Sequence, residues 1–146
     1  MKPKDLRIGN YIKGIYETEI DRGNAIIEDV EIDEVVRVVV IDSVGISDYS
    51  IWIEDGTREE YDSFEPIPLT EEWLLKFGWG RGEYDYEYEY ADNVSLKNAV
   101  LLYDYKNQVF TLELSSDQLE IKLYHVHQLQ NLYFALTNEE LETKIL

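Results

Sequence analysis

The sequence predicts an α+β protein, a small N-terminal barrel-like β module followed by a helix–antiparallel sheet–helix module. Three observations carry this expectation. Residues 1–65 hold several short β-branched or alternating segments separated by turn signals, the pattern of a highly curved β unit. Pro66-Ile67-Pro68 then imposes an extended link. Beyond it, two segments with apolar residues at helical spacing flank a series of strand-like runs.

In chain order, residues 6–12 read as a strand with a kink or turn at Gly9-Asn10. Residues 33–41 are the strongest strand, β-branched and nearly continuous, as expected of a strand buried on both faces. Residues 50–54 alternate, Asp55-Gly56 signals a tight turn, and residues 57–64 read as the returning strand. The proline pair divides the chain into 1–65 and 66–146, two modules that pack either separately or as one domain. Thr70 caps a helix over 71–77. Glu71 and Glu72 favour the positive end of its dipole, Trp73, Leu74 and Phe77 form its apolar stripe, and Gly78 ends it. Gly78-Trp79-Gly80-Arg81-Gly82 reads as a helix stop and linker. A phosphate-cradling loop would follow a strand and open a helix, the reverse of this order.

Strands are expected over 83–90, 99–105 and 109–114, with Lys106-Asn107-Gln108 as a hairpin turn, and a fourth over 120–126. Leu129, Leu132, Tyr133 and Leu136 recur at helical spacing and predict a helix over 127–136 that packs on the sheet. Thr137 or Asn138 begins a further short helical turn.

Charge narrows the function. Of 146 residues, 31 are Asp or Glu and 13 are Lys or Arg, for a net charge of −18, while 45% are hydrophobic. The apolar share is enough for a core, so the acidity belongs to a folded surface. Such a surface repels nucleic acid and anionic lipid and attracts basic grooves. There is no cysteine, which removes disulfides and thiolate metal sites and fits a reducing cytoplasm. The start of the sequence lacks a signal-peptide core, and the longest apolar run, 35–41, contains Arg37 and is far short of a membrane span.

The clearest feature is Glu83-Tyr84-Asp85-Tyr86-Glu87-Tyr88-Glu89-Tyr90, which alternates acid and aromatic. As a strand it would set carboxylates on one face and tyrosines on the other. Same-face residues in a strand lie about 6.6–6.8 Å apart, whereas one strand of B-DNA carries a charge every ~3.4 Å of axis. One row of carboxylates is therefore half as dense as one DNA strand, and a phosphate mimic needs a second row. Two other clusters offer one: Glu17, Glu19, Asp21, Glu28, Asp29, Glu31, Asp33 and Glu34; and Glu54, Asp55, Glu59, Glu60, Asp62 and Glu65. The plainer reading of the run is a solvated sheet face backed by core tyrosines. Four adjacent tyrosines suit an interface as well as a core, because each hydroxyl needs a partner.

Three segments, Leu6-Arg7-Ile8-Gly9-Asn10-Tyr11, the stretch from Pro66 to Gly78, and the stretch from His127 to Thr137, together resemble a family of small proteins of phages and prophages of Bacteroides-type bacteria. The resemblance implies a phage-related setting and supplies no catalytic residues. It does not extend to the Tyr/acid run.

No enzymatic signature competes. His-Glu-x-x-His, Gly-x-Ser-x-Gly and a cysteine nucleophile are all absent. His125 and His127, two apart, lack a third convincing metal ligand, and no cofactor is implied. The expectation is a non-enzymatic inhibitor in the bacterial host cytoplasm. Through Glu83 to Tyr90 it binds a basic, nucleic-acid-handling host protein, a defence nuclease for preference, and mimics nucleic acid in that protein's groove. It contacts neither nucleic acid nor membrane directly. The alternatives are a structural or assembly protein of a phage or mobile element, and a carboxylate-and-metal hydrolase.

Overall fold

Gly9 turns the chain into its first strand. In a computed structural model, which describes residues 5–21, 23, 27–44, 48–53, 63–90, 96, 99–114 and 120–144, Gly9 has φ 94°. The fully buried Asn10 accepts the Arg7 N–H on its side-chain oxygen at 2.7 Å. Residues 7–10 thus form the turn expected at Gly9-Asn10, and of the strand expected over 6–12 only the part after it is strand, in β1 (Tyr11–Asp21).

By its contacts the chain divides into two compact units, residues 1–67 and 68–146, a division that falls within the Pro66-Ile67-Pro68 link. In the first unit β1 pairs antiparallel with β2 (Ile27–Val44) from Tyr11 opposite Arg37 to Asp21 opposite Ile27. From Val38 onward β2 changes partner and pairs with β3 (Asp48–Ile53), with a register irregularity between Val38 and Val40. The short β4 (Ser63–Glu65) pairs with β1 through Lys13, Gly14 and Ile15. Leu6, Ile12, Val36 and Val38, with Phe64 against them, make the core of this unit.

Two expectations are corrected here. Among the described residues the sheet is open, in the order β3-β2-β1-β4 with β3 and β4 as edges, so the barrel-like closure is not seen. The strand expected to be buried on both faces buries Val36 and Val38 but leaves Val35 54% exposed, as in a sheet covered on one side. Of the returning strand expected over 57–64, only Ser63 and Phe64 lie among the described residues, in β4, which pairs with β1. Asp55-Gly56 lies outside the described residues.

The second unit opens with a Pro68–His125 bridge and a Leu69 N–H to Tyr124 carbonyl bond of 2.9 Å. Thr70 then caps α1 (Glu71–Lys76), its hydroxyl accepting the Trp73 N–H at 3.4 Å. Gly78, at φ 89°, ends the helix in the left-handed conformation. Replacing Gly78 with alanine is expected to cost about 1–2 kcal/mol, read as a lowered Tm. The Lys144 side chain behind it is flexible enough to move aside, so backbone strain sets the loss.

Trp79, 2% exposed, needs cover. The chain therefore enters β5 (Trp79–Arg81) directly, where a linker was expected. β6 (Glu87–Tyr90), β7 (Ala99–Asp104), β8 (Val109–Leu114) and β9 (Glu120–Leu123) follow in an antiparallel meander, β5-β6-β7-β8-β9. Its buried face carries Tyr88, Leu101 and Leu112 in one cross-strand row and Phe110 and Leu123 in the next. The β7–β8 turn is held by Asp104, which accepts the backbone N–H groups of Lys106 at 2.9 Å and Asn107 at 3.1 Å.

β9 ends before His125, and α2 (Val126–Thr137) begins there. Gln128 Oε1 accepts the N–H groups of Tyr124 and His125, which breaks the strand that was expected to run to 126. Leu129 and Tyr133 are buried, and Tyr133 meets the Tyr90 ring edge-on at 5.5 Å. Asn138, at φ 58°, caps α2 through its N–H on the Phe134 carbonyl, and no further helical turn follows over 139–141. Among the described residues no helix is long and apolar enough to cross a membrane.

Candidate functional site

The Tyr/acid run does not form one strand. The Gly82 N–H donates to the Glu87 carbonyl at 2.8 Å and the Glu87 N–H to the Tyr84 carbonyl at 3.0 Å, so Glu83, Tyr84, Asp85 and Tyr86 are a hairpin loop. A Cβ on Gly82 would lie 2.9 Å from the Glu87 Cβ, which explains a glycine at this close approach. The reversal follows from β5: once Trp79–Arg81 is a strand, the next segment must turn back to pair with it. Only Glu87–Tyr90 keeps the expected alternation. Tyr88 is 4% exposed, and its burial raises the phenol pKa. Tyr90 is half-buried against Trp79. Glu83, Asp85 and Glu89 are exposed and Glu87 is half-buried. Tyr84 and Tyr86 are exposed and stack on each other, with centroids 5.5 Å apart. The run thus separates into an exposed pair of tyrosines and a pair turned inward, Tyr88 buried and Tyr90 half-buried.

A second row of carboxylates is present elsewhere. In the β1–β2 hairpin Glu17 stands directly opposite Glu31, and Glu19 directly opposite Asp29. These four and Asp21 share one face of the ladder, and all five are exposed. Tyr16, Thr18, Ile20 and Val30, all half-buried, form the other face. Two rows at the strand repeat of about 6.6–6.8 Å give one charge per ~3.4 Å along the hairpin, the linear density of a single DNA strand. Like charges directly opposite one another are unfavourable in a sheet.

The acids of this ladder were legible as a cluster, but their facing geometry was missed. Its signal was partly there: Glu17, Glu19 and Asp21 alternate at period two, as do Asp29, Glu31 and Asp33, the pattern of two strands with one acidic face each. Of the third cluster, only Glu65 lies among the described residues, on β4.

Repulsion across the ladder leads to an expected salt response. Raising ionic strength from very low to about 0.15 M, where the Debye length falls to about 8 Å, should raise the Tm. A flat Tm would mean that the facing carboxylates are neutralised within the fold.

The other candidates resolve into structure. Arg81 binds Glu71 through Nε at 2.6 Å and Nη2 at 2.5 Å, and this partner raises its pKa. His125 and His127 do not share a strand face: His125 is the N-cap of α2 and His127 is buried within it, their rings 5.7 Å apart. Burial lowers the His125 pKa. Among the described residues no three His, Asp or Glu side chains converge as metal ligands. No protein-family model, curated protein or solved structure matches the chain.

Proposed function

We propose that the protein is a non-enzymatic, phage-related inhibitor that acts in the cytoplasm of a bacterial host. It occupies the basic nucleic-acid groove of a host protein, a defence nuclease being the target that best fits. The observation that carries this reading is the double row of carboxylates on the β1–β2 hairpin, with Glu17 facing Glu31 and Glu19 facing Asp29. Its charge spacing matches a phosphate backbone. A basic groove would relieve the repulsion across the ladder by placing Lys or Arg between the rows, with association steered by the long-range field. The likeness of three segments to phage and prophage proteins supports the setting.

The test is capture from host lysate on the immobilised protein. Basic nucleic-acid-binding proteins should be retained at low salt, released at high salt, and displaced by duplex DNA. Retained proteins that duplex DNA leaves in place would sink the reading. A second reading, a structural or assembly protein whose acidity maintains solubility, draws on the acids of the other unit, where Glu113 faces Glu120. It predicts no DNA-competed partner.

The isolated protein is expected not to bind nucleic acid. With a net charge of −18, counterion release opposes contact with phosphate. Fluorescence anisotropy with a generic labelled duplex at about physiological salt checks this, and micromolar binding would contradict it.

A further inference from the structure

One end of the second unit's sheet carries an exposed aromatic patch. The β5–β6 loop and the start of the β7–β8 turn lie side by side there, and present Tyr84, Tyr86 and Tyr105 at 51%, 41% and 66% exposure. Tyr84 and Tyr86 are nearly parallel, at 5°. The Tyr105 hydroxyl donates to the Asp85 carbonyl at 3.5 Å, and its ring meets Tyr103 edge-on at 5.0 Å. Tyr103 donates its N–H to the Tyr86 carbonyl at 2.8 Å and packs on the buried Phe110 at 4.7 Å. The patch is therefore held from below by the core and open above. Contiguous exposed apolar surface of this kind marks an interaction site.

The charges around it select the partner. Glu83 and Asp85 are exposed on the same loop as the stacked pair. Asp104 lies between Tyr103 and Tyr105. The Asn107 side-chain amide and then the Asn107 and Lys106 N–H groups hold its carboxyl below the usual range, so it stays ionised. Among the described residues, Arg81 is engaged by Glu71 and Lys106 acts on Asp104.

Resting on the reading proposed above, we infer that this patch takes arginine side chains of the basic partner, their guanidinium planes stacking on Tyr84, Tyr86 and Tyr105 while Glu83 and Asp85 supply the counter-charge. A nucleobase would also stack on such rings, but it would bring its phosphates against these carboxylates. A cation gains from both features. The chain uses the same chemistry within itself: Lys76 lies 5.0 Å over Trp73 and Lys144 lies 4.7 Å over Tyr90. Arginine is favoured over lysine because its guanidinium is flat, weakly hydrated and stacks on aromatic faces. Tyr88 and Tyr90, turned into the fold, take no part.

The test uses labelled nona-arginine and nona-lysine peptides against the full chain, by fluorescence anisotropy at fixed salt. Both carry the same charge, so the difference between them reads stacking. The wild type should prefer nona-arginine by about fivefold or more, one exposed cation–π contact's worth. Tyr84→Phe/Tyr86→Phe/Tyr105→Phe should keep the preference. Tyr84→Ser/Tyr86→Ser/Tyr105→Ser should lose it while still binding nona-lysine, and Tyr84→Ser alone should reduce it. Equal affinity of the wild type for both peptides overturns the inference, as does a preference that survives in the serine variants, or tight binding of an oligouridylate. If both peptides bind equally and Glu17→Lys/Glu19→Lys weakens both, the inference falls while the proposed function stands. If neither peptide binds, both fall.

Discussion

Replacing Glu17 and Glu19 with lysine is expected to stabilise the fold and, in the same molecule, to weaken its hold on a basic partner about a hundredfold or more. Each change turns a like-charged cross-strand pair, with Glu31 or Asp29, into an opposite-charged one. Such pairs are worth roughly 0.2–1 kcal/mol each in a sheet, so the Tm should rise by several degrees, given about 4–8 °C per kcal/mol for a unit of this size. The binding loss should appear first in the association rate, because the steering field is weakened where it is densest. Thermal melts and surface-plasmon kinetics on one preparation separate the two effects. A raised Tm with unchanged binding would remove this hairpin from the interface and transfer the proposal to Glu83, Asp85 and Glu89. A lowered Tm would mean that the carboxylates are engaged by cations within the fold.

The second large effect is expected from Leu101→Ala. Leu101 is fully buried in the central strand β7, between Tyr88 on β6 and Leu112 on β8. Truncating a buried leucine costs about 2–5 kcal/mol, through lost transfer energy and the cavity that remains. Against a typical total of 5–15 kcal/mol this is a large share. Leu102→Ala, on the opposite face and half-buried, should cost clearly less. Urea melts of the two variants make the comparison. Equal losses would mean that both faces of the sheet are covered.

The elements that were legible in the sequence owe their form to local chemistry. Thr70, the acids after it and Gly78 bound α1 at both ends, and each acts within a few residues of itself. β8 over Val109–Leu114 and the turn at Lys106-Asn107-Gln108 were likewise readable from alternation and turn chemistry. The features that were missed depend on distant partners. Nothing near residues 83–86 says that they must loop; that follows from Trp79, whose burial makes a strand of what reads as a glycine-rich linker. The acids at 17–21 and 29–33 were visible, but only the Tyr11-to-Arg37 register makes them face one another. That β2 exchanges β1 for β3 as its partner at Val38 is something no local pattern encodes. Of the candidate site, the residue types were legible, and the split of four alternating tyrosines into two exposed and two turned inward was not.

The order of strands in the second unit bears on how quickly it forms. Every hydrogen-bonded strand pair from β5 to β9 joins neighbours in the chain, so no step of the meander has to close a long loop before it is rewarded. The first unit differs: β4 cannot dock until the chain from Ile15 to Ser63 has returned on itself. Topologies dominated by near neighbours reach their native state orders of magnitude faster than those with distant pairings. Refolding from denaturant should therefore show the tyrosine-rich unit maturing early and the carboxylate arm gaining its last strand late.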